Sequence, residues 1–147
     1  MPEIHEGGCS YGAVRYRTTN APRLAAVCHC TFCQHRSGSA FGIGVYFKSD
    51  DVEFLSGTLR VYEHRSDESG RWIRAEFCVN CGSTVTWTLE VMPDGRGLAG
   101  GTFDDPHWFE IARHSWTRSA HRWVAIPHGV LAYDGSALPP PQARADS

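Results

Sequence analysis

Three cysteines fall within six residues, Cys28-His29-Cys30-Thr31-Phe32-Cys33, and two more in Cys78-Val79-Asn80-Cys81. Thiols at these spacings suit a metal ion. A C-x-C-x2-C run puts three sulfurs on one tight turn. A C-x2-C followed by Gly82 has the form of a zinc knuckle, because glycine permits the bend that aims both sulfurs at one ion. Three thiolates leave a tetrahedral zinc one ligand short, and an open corner that admits water or a thiol is what separates a catalytic zinc from a structural one. Three thiolates around Zn²⁺ carry a summed charge near about −1, which softens the ion and suits it to sulfur better than to hydroxide. The rival reading closes the same turn into a structural site with His29 or His35. His29 sits between two ligand cysteines, where its ring tends to point away. His35 lies two residues beyond Cys33 and can reach the metal or move a proton. An ordinary imidazole pKa near ~6.5 makes both His29 and His35 candidates for proton transfer.

Two ligands do not make a second site. Cys9 is the one cysteine left, so Cys9, Cys78 and Cys81 together supply three ligands that would tie the N-terminal strand to the middle of the chain. A zinc there would contribute folding energy directly. The fourth ligand would come from His5, Glu6 or water, since the Tyr11 phenolate is a poor ligand at neutral pH. A redox dithiol at Cys78 and Cys81 is a weaker reading, because it needs a βαβ context that the pattern lacks.

The surrounding chain sets these groups in a reducing compartment. At 147 residues, 41% hydrophobic and 20% charged, it fits one globular domain with a sizeable core. A net charge of −2 and scattered basic residues give no footprint for nucleic acid or an anionic membrane. No apolar run approaches the ~18 residues of a membrane span. The start MPEIHEGGCS lacks a basic n-region and an apolar h-region, so a cytoplasmic location is expected, where stable disulfides are rare. Residues 1–135 read as a single zinc-binding domain and 136–147 as a Pro-rich disordered tail.

The elements that must position the cysteines are mostly strands. Alternating, β-branched and aromatic runs at 13–18, 24–28, 43–47, 59–63, 72–77 and 84–89 are separated by Gly, Asp and Ser punctuation. The fold class is mainly β, with antiparallel pairs and few short helical turns. One helical turn is expected at 31–36, opened by Thr31 as N-cap, and a second turn near 106–109.

Four ordered motifs, GGCSYGAVRY, CHCTFCQHRSGSAFG, FCVNCGSTV and GTFDDP, give residues 4–127 a resemblance to the glutathione-dependent formaldehyde-activating (GFA) family, which includes the centromere protein V relatives. The resemblance implies β-tent-like antiparallel sheets around zinc. It implies Cys28, Cys30 and Cys33 as ligands of a catalytic zinc, and Cys9, Cys78 and Cys81 as three of four structural ligands. Tyr11 stands where the family usually has the fourth cysteine. Gln34-His35 stands where many relatives carry a basic residue. The implied activity is zinc-dependent carbon–sulfur lyase chemistry on a glutathione or other thiol adduct, S-hydroxymethylglutathione-like. The alternative is a non-catalytic zinc-binding module with both sites structural.

Other residues carry weaker signals. Arg15 and Arg17 alternate along a strand and either face solvent or bind glutathione carboxylates. The five tryptophans read mostly as core. WTRSAHRW, residues 116–123, is locally basic and could close over a pocket near the metal.

Overall fold

The computed structural model describes residues 3–137. Most of the expected tail, 138–147, lies outside the described residues, while Ser136 and Ala137 line the cavity described below. Among the described residues eleven strands run β1 Ile4–Gly8, β2 Arg15–Thr19, β3 Leu24–Cys28, β4 Gly42–Lys48, β5 Val52–Ser56, β6 Leu59–Arg65, β7 Trp72–Cys78, β8 Thr84–Leu89, β9 Met92–Ala99, β10 Arg113–Ser115 and β11 Leu131–Ala132, with one α-helix, α1, at Thr31–Ser37. Strands β1-β2-β5 form a small antiparallel sheet, and the remaining eight form a second sheet ordered β11-β10-β3-β4-β9-β8-β7-β6.

The expectation of a mainly β chain holds, with three differences. Strands β1, β5, β9, β10 and β11 fall outside the expected runs; β9 reads MPDGRGLA, with a proline and two glycines, and becomes a strand because it pairs on both edges, with β4 and β8. The large sheet is mixed, because β10 runs parallel to both β3 and β11. The N-cap of α1 is Cys30 rather than Thr31, its Sγ accepting the Cys33 N–H at 3.3 Å as a serine hydroxyl would.

Period-2 alternation divides the large sheet into two faces. Ala25, Val45, Phe47 and Leu98 point one way and pack with Val14 and Tyr16 of the small-sheet segment as the core. Tyr16 is fully buried, its hydroxyl 2.8 Å from Thr102 Oγ1 and its ring edge-on to Phe103. The opposite face carries Ala26, Cys28, Gly42, Gly44, Tyr46 and Trp87. That second face positions the site.

Arg15 and Arg17 lie on the small sheet away from that face. Arg15 forms a fork with Asp104 at 2.9 and 2.5 Å, and Arg17 pairs with Glu6 at 2.9 Å. Hydrogen bonding to Arg15 holds the Asp104 carboxyl below the usual carboxylate range. A depressed pKa contributes stability above ~3.9 that is lost as pH falls through the folded value. With the two side chains 33% and 57% exposed, screening limits that contribution to about 1 kcal/mol or less. Asp104→Asn is therefore expected to lower Tm by about 3 °C or less at pH 7, with the difference vanishing in strong acid, as read by thermal melts across pH.

Candidate metal centre

Cys28 ends β3, Cys30 caps α1, and Cys33 sits on its first turn, so strand end and helix start converge on one point. The three Sγ atoms lie within 4.8 Å of one another. Sulfurs ~3.8 Å apart are what a tetrahedral ion with ~2.3 Å Zn–S bonds requires, so the donor set fits zinc in number, softness and spacing. Hydrogen bonds from the Cys28 and Cys33 thiols, reinforced by backbone N–H groups of Cys33 and Phe32, hold Cys30 far below the ordinary thiol range. Cys28 is pushed up chiefly by Cys30, and Cys33 by Cys28 and Cys30. The three thiols share hydrogen bonds at close range, and a bound divalent cation would favour release of their protons.

The second group joins two turns far apart in sequence. Cys9 follows β1, Cys78 ends β7, and Cys81 lies in the turn before β8, with the sulfurs again within 4.8 Å. The Val14 N–H donates to Cys9 Sγ and the Asn80 N–H to Cys78 Sγ, each at 3.3 Å. Gly82 has φ +77, a left-handed conformation that lets its N–H reach the Cys78 carbonyl at 2.9 Å. Burial works to raise Cys9, but the Val14 N–H and the Cys78 thiol outweigh it and leave Cys9 lowered, while burial keeps Cys78 raised. The Ser83 hydroxyl, with its N–H, lowers Cys81 to about 6. These backbone donors suit a thiolate cluster, and hence a metal.

No fourth protein ligand joins either group among the described residues. His5 stacks on Trp108 at 3.7 Å, Glu6 is engaged by Arg17, and Tyr11 is 71% exposed. Tyr11→Cys is expected to supply the missing sulfur and to slow metal loss from this group to a chromogenic chelator by roughly tenfold or more. Unchanged release kinetics would show that position 11 does not reach the sulfurs.

A cavity of about 670 Å³ opens over Cys28, Cys30 and Cys33. Its floor is the second face of the large sheet. Gly44 and Gly97 have no side chains there, and a Cβ on either would press within 3 Å of the Tyr46 and Trp87 rings, so these rings lie down against the sheet and leave room above. Gly42 in turn lets α1 approach: its Cβ would stand 2.6 Å from Arg36 Nη2 and 3.4 Å from Cys33 Sγ.

The structure separates the two histidine candidates. His35 lines the cavity from exposed α1, its Nδ1 2.8 Å from the Thr31 carbonyl oxygen. That bond makes Nδ1 the N–H donor and leaves Nε2 as the acceptor in the neutral ring. His29 does not line the cavity: its ring is fully buried behind the turn, with Nε2 2.9 Å from His114 Nδ1. Burial lowers both. At His29 the structure shows a ring that packs the turn from behind.

Several cavity residues went unread in the sequence. Arg36 lies 4.4 Å over the Trp87 ring, with its Nε buried and unpartnered, and it meets no carboxylate among the described residues. Arg113 of β10 enters the wall, also without a carboxylate partner among the described residues. Tyr46 accepts the Trp87 Nε1–H at 3.1 Å, and burial pushes its phenol up to about 12, so it stays protonated with its own hydrogen left to donate. His64 stacks on Phe32 at 4.0 Å. The Gly-x-Gly-x-Tyr alternation of 42–46 was a usable signal for one face of β4; nothing local marked Arg113 or His64. Trp116, Arg118 and Ser119 do form wall, and Gln34 ties that segment to α1 by donating to the carbonyls of His29 and Ser119 at 2.8 and 3.0 Å. Trp72, Trp87 and Trp116 line the cavity, Trp108 packs on the core, and Trp123 is exposed.

Comparison with known proteins agrees with this geometry. The family described as glutathione-dependent formaldehyde-activating enzyme (GFA) matches residues 4–119. A Rhodobacter sphaeroides protein of known crystal structure shares the fold at 18% identity with a TM-score of 0.53, covering 87% of this chain and 98% of that one. No curated protein matches the sequence.

Proposed function

This chain belongs to the glutathione-dependent formaldehyde-activating enzyme family, and from that premise we propose that it is a zinc-dependent carbon–sulfur lyase acting in the cytoplasm on a thiol adduct of an aldehyde, of the S-hydroxymethylglutathione type. The observation that carries the reading is the placement of three convergent sulfurs at the base of a cavity whose wall holds two guanidiniums, Arg36 and Arg113, that pair with no carboxylate of the described residues. Cys28, Cys30 and Cys33 would hold the ion. Zinc so held supplies a soft Lewis acid with a preference for sulfur.

The chain's own groups do the rest. Arg113 suits a carboxylate of a peptide-like thiol. Arg36, beside Cys33, suits an oxygen that gains negative charge when the adduct carbon becomes a carbonyl. The acceptor Nε2 of His35, at the cavity wall, would take a hydroxyl proton, and the Tyr46 hydroxyl would donate a hydrogen bond from the floor. His29 would act only as a positioning residue, through the turn it packs against. Hydroxyl proton, C–S bond and carbonyl then balance: the adduct R–CH(OH)–SR′ gives R–CHO and HS–R′ with no other reactant.

The test is exchange NMR of formaldehyde and glutathione with zinc-loaded protein, alongside elemental analysis. Line exchange faster than the spontaneous rate, proportional to metal-loaded protein, is expected. Spontaneous-rate exchange at full loading would overturn the reading in favour of a non-catalytic zinc module. Addition of glutathione should also shift the zinc X-ray absorption edge, which a site already closed by four protein ligands would not permit.

A further inference from the structure

We propose that the aldehyde released at this site is bulky and apolar, aromatic by preference, rather than a one-carbon unit; the proposal rests on the carbon–sulfur reading above. Arg113 and the largest apolar stretch of the cavity wall lie on opposite sides of Cys28 along the sheet. Cys28 is on β3. On one side its neighbour β10 contributes Arg113. On the other side the sheet runs through β4 and β9 to β8 and β7, where the wall gains the apolar Trp87, Leu89, Ile73, Trp72 and Met92, and the β6–β7 turn adds polar residues including Asp67 and Glu68. Strands ~4.8 Å apart make this apolar stretch, which spans β9, β8 and β7, about 10 Å wide. A one-carbon fragment would leave nearly all of it against water. The cavity volume of about 670 Å³ sits inside the ~300–1,000 Å³ typical of sites that engulf drug-sized ligands.

Arg36 marks the junction between the two sides. Its Nη2 borders the Gly42–Cys33 contact and its guanidinium lies over Trp87, so it bridges the sulfurs and the apolar floor. The hydroxyl-bearing carbon of a hemithioacetal occupies that same junction: sulfur on one side, hydrocarbon on the other, oxygen between. With the carrier thiol toward Arg113, the oxygen falls to the Arg36 guanidinium, whose Nη2 lies at the Gly42–Cys33 edge, and the hydrocarbon to the floor beyond it. Cleavage breaks the C–S bond, turns the C–O–H into a carbonyl and leaves the hydroxyl proton on the thiol.

The experiment compares two inert thioethers, S-methylglutathione and S-benzylglutathione, by calorimetry on zinc-loaded protein. It then compares glutathione adducts of formaldehyde and benzaldehyde by exchange NMR. The benzyl thioether is expected to bind at least about tenfold more tightly, from burial of a ring-sized apolar surface. Leu89→Glu is expected to cut that advantage to about twofold or less while S-methylglutathione binding is unchanged, and Leu89→Ala, the milder variant, to reduce it about threefold. Benzaldehyde adduct exchange is expected to be accelerated more than the formaldehyde one. Equal affinity for the two thioethers, with formaldehyde exchange still accelerated, would overturn the apolar-aldehyde proposal and leave the lyase reading standing. No acceleration of either adduct would overturn both.

Discussion

Cys30→Ser is expected to remove one metal equivalent per chain and to slow carbon–sulfur turnover by about a thousandfold or more, while the fold survives. The fold survives because Cys30 also caps α1. A serine hydroxyl can accept the Cys33 N–H that Cys30 Sγ now accepts at 3.3 Å, so the helix keeps its first-turn bond. The metal site does not survive, because Cys30 is one of three sulfurs that would hold the ion, with no fourth protein ligand among the described residues. A serine alkoxide is inaccessible near neutral pH, and two sulfurs alone hold a soft ion poorly. Lewis-acid assistance worth several kcal/mol corresponds to about three powers of ten or more in rate. Elemental analysis, circular dichroism and exchange NMR on the same preparation check the three parts. Turnover retained in a folded, zinc-free Cys30→Ser protein would end the mechanism.

Cys78→Ala is expected to lower stability by about 3 kcal/mol or more, a fall in Tm of about 6–12 °C. Cys78 is 1% exposed and sits in the core cluster with Val85 and Cys9, so truncation opens a small void. The larger part comes from the second sulfur group, which clips the β1–β2 turn to the β7–β8 turn. A metal that binds only where these turns meet stabilises the folded chain by its own binding free energy. Stripping metal from the wild type with a chelator should therefore reproduce most of the loss, and the variant's Tm should be insensitive to the same chelator. A variant that melts within about 2 °C of wild type would show that the group contributes no folding energy.

Much of this was legible in the chain because it is local. Six residues hold Cys28, Cys30 and Cys33, and four hold Cys78 and Cys81, so covalent geometry alone keeps each set of sulfurs close. The strands at 24–28 and 84–89 were legible from composition, since β-branched and apolar residues in short runs suit a pleated, half-buried surface. Strand β9 was illegible for the converse reason: Pro93, Gly95 and Gly97 contradict strand propensity. What holds them extended is the pairing to β4 and β8, which no local signal encodes.

The sequence by itself determined a three-cysteine turn and a C-x2-C pair of the right softness and spacing for a metal, a mainly β chain to carry them, and a resemblance to one family. The tertiary structure decided which groups face those sulfurs. It sent His29 into the interior against His114, brought Cys9 across from a turn 69 residues before Cys78, and placed Arg36, Tyr46 and Arg113 around one cavity. The physical reason is range. Spacing along the chain constrains atoms a few bonds apart, whereas the direction of a ring or a guanidinium depends on strand register and on the side chains packed against it. Those are set only when segments distant in sequence pair.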